Sequence, residues 1–299
     1  MAFMENCIFF NLNFDQQIAD TLASYLNSEK GNLTLHKFPD GESSVCINSD
    51  FKNKKALLLA SLHQPDLNIL SLLFSCRYLK ENGATQIILI TPYLPYMRQD
   101  KAFKPGDAIT SRYFAELISM HVDLLITIDP HLHRYHSLSE IYSIPCYNLS
   151  ASQLIANWVQ NNIVNPLLIG PDSESKQWIM QVARNINCPI AVLEKTRYGD
   201  KNVEIHFDDF EGCKKCTPVI IDDIISTAST MAVATKQLLQ KGFTSPVCIG
   251  VHAVFADNAY AKLTEAGCNT IVTCNSIKHF SNKIDVMPVI AEQVIALKL

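Results

Sequence analysis

Glycine is scarce and tryptophan scarcer, at 10 and 2 of 299 residues, and low-complexity tracts are absent. No G-x-x-x-x-G-K-[ST] string and no G-x-G-x-x-G string occurs, so neither a P-loop kinase nor a Rossmann dehydrogenase is supported. No apolar run reaches the roughly 20 residues that span a bilayer. Residues 1–10 carry Glu5 where a secretory leader would carry basic residues, so they do not read as a signal peptide. Neither sign of charge dominates: 25 Lys and Arg against 29 Asp and Glu give a net −4 and a pI near 6.1. That balance excludes a strongly basic surface for nucleic acid. The expectation is a soluble cytoplasmic protein with neither a membrane nor a nucleic-acid partner. Cysteine is not lacking, but its ten copies are scattered, and Cys213-Lys214-Lys215-Cys216 has no second pair at zinc spacing. They read as free thiols in a reducing compartment.

What is present is a hydrophobic fraction of 48% with 18% charge, the balance of a packed globular chain. Short apolar runs at 55–60, 86–91, 123–129, 166–170, 189–193, 218–222, 247–251 and 270–273 read as buried parallel strands. Helical spacing lies between several of them, as at 66–82, where Leu70, Leu73, Phe74, Arg77 and Tyr78 precede Gly83. Phe114, Leu117 and Ile118 mark another helix at 109–120. Strands alternating with helices imply parallel sheets joined by right-handed crossovers. The length and strand count point to two doubly wound α/β domains, divided near residue 147 into 1–147 and 148–299.

Chemistry-bearing residues follow the strands. Val219-Ile220-Ile221-Asp222-Asp223-Ile224-Ile225-Ser226-Thr227-Ala228-Ser229-Thr230 joins an apolar strand, two acids and a hydroxyl-rich turn, and a helical pattern runs on to Gln240. A turn entering a helix holds phosphate through free N–H groups and the helix dipole. The acids beside it suit sugar hydroxyls, a divalent cation, or both. A sugar phosphate is the implied ligand.

Elsewhere, Pro92-Tyr93-Leu94-Pro95-Tyr96-Met97-Arg98-Gln99-Asp100 offers a guanidinium and an amide to phosphate or a purine edge. Asp129-Pro130-His131 and Gly170-Pro171-Asp172 place possible metal ligands at strand ends, while His131, His133 and His136 lack the spacing of a zinc-binding helix face. Lys195 and Arg197, two apart in Glu194-Lys195-Thr196-Arg197-Tyr198-Gly199-Asp200, share a side of an extended loop able to close over a transferring phosphoryl chain. Phe38-Pro39-Asp40-Gly41-Glu42 is a turn by composition.

Taken in chain order from Phe38 to Thr230, these motifs resemble those of the ribose-phosphate pyrophosphokinase family, with Phe103 and Gly106-Asp107 extending the match. The resemblance implies two domains of the type I phosphoribosyltransferase fold. It implies ATP bound through Phe38, Asp40, Glu42, Arg98, Gln99, Asp100 and His131. Ribose 5-phosphate would meet Asp222, Asp223, Ser226, Thr227, Ala228, Ser229 and Thr230. Mg²⁺ would lie by His131, Asp129 and Asp172, with Lys195 and Arg197 catalytic. It also implies a homo-oligomer with a shared active site, the Phe38 loop reaching a neighbour's nucleotide. Two departures stand out. Ser173-Glu174-Ser175 replaces a glycine-containing turn, and Ala228-Ser229 replaces glycine in the phosphate turn, where added Cβ atoms are expected to narrow the approach to an anion. A phosphoribosyltransferase and a non-catalytic regulatory homologue remain alternatives.

Overall fold

A computed structural model describes residues 6–172, 175–198, 202–206, 213 and 215–298. It divides into two units, Met1–Leu149 with Val286–Leu299, and Ser150–Asp285. The first unit begins with β1 (Cys7–Asn11), α1 (Gln16–Leu26), β2 (Glu29–Lys30), the hairpin β3 (Leu33–Lys37) and β4 (Ser43–Ile47), and β5 (Lys55–Leu59). It continues through α2 (Pro65–Glu81), β6 (Gln86–Ile90), α3 (Thr110–Ser119), β7 (Leu124–Ile128) and β8 (Cys146–Leu149). Its main sheet is parallel throughout, in the order β2-β1-β5-β6-β7-β8.

The second unit contains α4 (Ser152–Asn162), β9 (Pro166–Gly170), α5 (Lys176–Ile186), β10 (Ile190–Val192) and the antiparallel hairpin of β11 (Glu194–Tyr198) with β12 (Asn202–His206). Then come β13 (Thr217–Ile225), α6 (Ser229–Gln240), β14 (Val247–Ala253), α7 (Ala259–Glu265), β15 (Thr270–Cys274) and β16 (Asn282–Ile284). Its sheet is also parallel, in the order β10-β9-β13-β14-β15-β16. This is the α/β, mainly parallel architecture expected from the sequence.

The sheets are parallel because their strands are apolar on both faces. Ile87, Ile88, Leu89 and Ile90 of β6 are fully buried, as are Leu168, Ile169, Ile220 and Ile221 of β9 and β13. Such strands cannot leave one face in water, so helices must cover both. All eight apolar runs form strands. The sequence reading left β1 unassigned, although it is among the most buried strands, with Ile8 and Phe10 fully inaccessible. The second expected domain also ran to the chain's end. Instead α8 (Met287–Ala296) belongs to the first unit and packs against α1. Its apolar Ile290, Ala291 and Val294 are buried there.

Ile88 lies at the centre of the first sheet with no exposed surface. Ile88→Ala is expected to cost roughly 3 kcal/mol, the scale of a buried truncation that leaves a cavity. Urea unfolding checks this, and a loss below about 1 kcal/mol would contradict the packing described.

Candidate active site

In open parallel sheets, ligands bind beyond the carboxyl ends of the strands. In the first unit, the loops after β6 and β7 are fastened together. Thr127 Oγ1 donates to the Pro92 carbonyl at 3.4 Å, and the Ile128 N–H donates to the same oxygen at 3.1 Å. Tyr96 adopts a left-handed φ of 63°, hydrogen-bonds Asp66 through its hydroxyl, and lies 4.8 Å from the Phe114 ring. Asp100 is 5% exposed, and its Oδ1 accepts from Arg134 Nη1 at 2.6 Å, while Tyr135 Oη donates to its carbonyl at 3.3 Å. Arg98 is exposed at the surface of this framework and Gln99 half-buried.

After β7, Asp129 takes a φ of 33°, its N–H donating to the Leu149 carbonyl at 2.8 Å. The half-buried His131 follows, its ring 5.8 Å from that of His133. Arg134 and Lys101 approach the exposed Phe103 ring at 5.6 and 5.2 Å. Phe38 to Glu42 form the tip of the β3–β4 hairpin. Gly41 supplies the positive φ of 93° that the tip requires, and the Phe38 N–H closes it onto the Glu42 carbonyl at 2.8 Å. Asp40 Oδ1 accepts the Glu42 N–H at 3.1 Å, and the Phe38 ring is 46% exposed.

In the second unit, β13 runs two residues beyond its two acids, to Ile225. The sequence reading ended the strand at Asp222. Its pairing with β9 stops at Ile220, whereas its pairing with β14 continues through Asp222 to Ile225. Asp222 and Asp223 therefore lie where one flank of the strand has lost its neighbour. Beyond β9, Asp172 accepts the Ser175 N–H at 3.1 Å on Oδ1, and the Ser175 hydroxyl donates to its carbonyl at 2.6 Å. Gly170 is required here, since a Cβ would stand 2.3 Å from Ser175 Oγ. Burial, with Asp223 and then Asp172 as neighbouring negative charges, pushes the Asp222 carboxyl well above the usual carboxylate range.

Ser226 to Ser229 form the turn into α6. No side chain caps the helix, which leaves its first N–H groups without an intrahelical acceptor. Ala228 occupies the cap position at φ 55°, a left-handed conformation that costs a residue with a Cβ roughly 1–2 kcal/mol. It is buried in the core cluster of Ile225, Met231 and Ala232. For Ala228 alone the expected narrowing of the turn is thus corrected: its methyl group belongs to the core. Lys195 and Arg197 lie at alternate positions of β11, opposite Ile205 and Val203 of β12, in a paired ribbon where the sequence suggested an extended loop. Ser173, Glu174, Gly199 and Asp200 lie outside the described residues.

The signature of the N-terminal domain of ribose phosphate pyrophosphokinase matches residues 7–121, and that of the phosphoribosyl transferase domain matches residues 137–287. A ribose-phosphate pyrophosphokinase of Methanobrevibacter smithii is 30% identical over 288 residues, covering 92% of this chain and 96% of its own. Another, of Sulfurisphaera tokodaii, is 32% identical over 267 residues, covering 87% and 90%. This chain belongs to the ribose-phosphate pyrophosphokinase family. The fold agrees with the crystal structure of a phosphoribosylpyrophosphate synthetase from Mycobacterium smegmatis, at TM-score 0.87 and 23% identity over 98% of this chain and 99% of that one.

Against that family background, the first unit gathers Arg98, Gln99, Asp100, Asp129 and His131 at two adjoining strand ends. The second gathers Asp172, Asp222, Asp223 and the 226–230 turn. Among the described residues, no three His, Cys, Asp or Glu side chains converge as a metal cage, and no helix is long and apolar enough to cross a membrane. All ten cysteines are free thiols. The sequence reading missed Arg134 and Tyr135, which hold the Arg98 loop, and Lys262 of α7, whose Nζ lies 2.6 Å from Ser229 Oγ. Only their distant partners give them meaning, so no local signal marks them.

Because the Asp222 carboxyl titrates above its unfolded value, its contribution to stability is fully present in acid and is lost as pH rises through the raised value. Asp223→Asn removes one of the charges responsible. In metal-free buffer at neutral pH it is expected to raise Tm by roughly 2–4 °C, about 1 kcal/mol, with the gain shrinking as pH falls and Asp222 takes up its proton. Calorimetric scans across pH check this; a gain that grows in acid would contradict it.

Proposed function

We propose that this family member transfers the β,γ-pyrophosphoryl group of ATP to the 1-hydroxyl of ribose 5-phosphate, giving AMP and 5-phosphoribosyl 1-pyrophosphate. The observation that carries the reading is β13 with its turn: two acids, then a hydroxyl-rich segment entering an uncapped helix. The acids accept hydrogen bonds from the ribose hydroxyls, and Ser226, Thr227, Ala228, Ser229 and Thr230 enclose the 5-phosphate through hydroxyl and backbone N–H donors. Arg98, Gln99 and His131 hold the nucleotide, with Asp100 keeping the segment in place through Arg134. Phe38, Asp40 and Glu42 complete nucleotide recognition from the β3–β4 hairpin.

Asp172 and the acid pair fit a hard divalent cation, as do Asp129 and His131, because Mg²⁺ keeps several waters and needs few protein ligands. Mg²⁺ bound with the phosphates supplies charge neutralisation. The 1-hydroxyl oxygen attacks the β-phosphorus and gives up its proton to solvent, the bond from that phosphorus to the α,β-bridging oxygen breaks, and AMP leaves with that oxygen. Such transfer depends on positioning and charge neutralisation more than on a protein nucleophile. Lys195 and Arg197 neutralise the charge that develops on the transferred group.

The test is the product formed from ATP and ribose 5-phosphate with Mg²⁺. AMP is expected; ADP would signal γ-phosphoryl transfer and refute the reaction. Binding of both substrates with no turnover would instead favour a non-catalytic regulatory relative. Lys195→Ala and Arg197→Ala are each expected to lower kcat about a hundredfold or more with far smaller changes in KM for ATP. A change confined to KM would remove their catalytic role. The same reading makes the enzyme a homo-oligomer in which the Phe38 loop serves a neighbouring chain's nucleotide. Full activity in a species that sediments as a single chain would contradict that arrangement.

A further inference from the structure

The 226–230 turn carries hydroxyl and amide groups but no cation of its own. Close by, Asp222 is flanked by the charges of Asp223 and Asp172. A phosphate monoester brings roughly −1.5 to −2 more at neutral pH. Without a compensating positive group, the acids that suit the sugar would oppose its phosphate.

That group comes from the next helix. Lys262 of α7 donates from Nζ to Ser229 Oγ at 2.6 Å and makes a longer contact, 3.4 Å, with the Thr227 carbonyl. Ser229 Oγ also lies 3.2 Å from Thr227 Oγ1, so the ammonium and both hydroxyls form one small cluster on the turn. The residue is exposed and reaches the turn on a flexible four-carbon stem. An ammonium has three donors, and the turn engages two. Nothing in the packing of α7 requires this reach, since its buried residues are Ala259 and Leu263.

We propose that Lys262 is a further ribose 5-phosphate-binding residue, held on Ser229 in the substrate-free turn and turning an N–H to the 5-phosphate when the sugar binds. This rests on the reading of 226–230 as the sugar-phosphate turn. Ser229 then has a purpose that glycine could not serve, because its hydroxyl holds the lysine at the mouth of the turn.

Calorimetric titration with ribose 5-phosphate and Mg²⁺, beside steady-state kinetics, tests the inference in the full chain. Lys262→Met is expected to weaken ribose 5-phosphate binding about tenfold and raise its KM similarly, with much smaller effects on kcat and on KM for ATP. Lys262→Arg, which keeps the charge, is expected to recover most of the loss. Lys236→Met, an exposed charge deletion on α6, is expected to match wild type. Affinity should fall with added salt more steeply in wild type than in Lys262→Met. A folded Lys262→Met protein that binds ribose 5-phosphate within about twofold of wild type would overturn the inference. So would equal losses for both substrates without rescue by arginine, which mark a purely structural role. Wild type that fails to bind ribose 5-phosphate at all would bring down the reading of the turn, and the inference with it.

Discussion

Three carboxylates stand at the ends of two neighbouring parallel strands, and much of the second unit answers to them. Asp172 follows β9, while Asp222 and Asp223 lie on the part of β13 that has outrun its pairing with β9. Like charges in a half-buried position oppose one another, and folding alone has no use for them. Their cost persists where a ligand relieves it, which is how strained or repulsive groups come to cluster at functional sites. The surrounding sequence keeps the acids in place. Gly170 allows α5 to approach so that Ser175 can hold Asp172, and β14 supports the overhanging end of β13.

The first unit uses the same strand-and-helix grammar with the opposite electrostatic solution. Asp100, the more deeply buried of its two buried acids in the loops after β6 and β7, is paired with Arg134. A buried carboxylate left unpaired is strongly destabilising, so this pair fixes how the two loops lie together. Arg98 and Gln99 are presented from a braced framework, with prolines, the Tyr96–Asp66 hydrogen bond and the Asp129 backbone limiting its freedom. One unit holds fixed cationic and aromatic groups suited to a nucleotide. The other holds acids and hydroxyls suited to a sugar phosphate. Both sets lie at the carboxyl ends of parallel strands or on the loops that follow, where rigid sheets leave residues free to specialise.

The legible parts of the sequence were those whose signal is local. Runs such as Gln86-Ile87-Ile88-Leu89-Ile90 read directly as buried strands, and the acid pair with its hydroxyl turn stood out as an odd way to end one. β1 was passed over because its five residues, Cys7-Ile8-Phe9-Phe10-Asn11, are too few for periodicity to tell a buried strand from a buried helix segment. β8 and β16 are short edge strands with few buried positions. The end of β13 was misjudged because polarity suggested a turn, whereas pairing with β14 carries the strand through both acids. Arg134 and Lys262 depend on partners 34 and 33 residues away. α8 joins the first unit by packing on α1, a contact that spans the whole chain and leaves no local trace.

The central claim is that the acid-bearing end of β13 and the turn after it receive ribose 5-phosphate. A crystal structure of the enzyme with ribose 5-phosphate and Mg²⁺ tests it most directly. The account expects the phosphate within hydrogen-bond reach of the 226–230 backbone N–H groups, with the ribose hydroxyls facing Asp222 and Asp223. A sugar phosphate bound elsewhere, or lying with its phosphate against the acids, would contradict it.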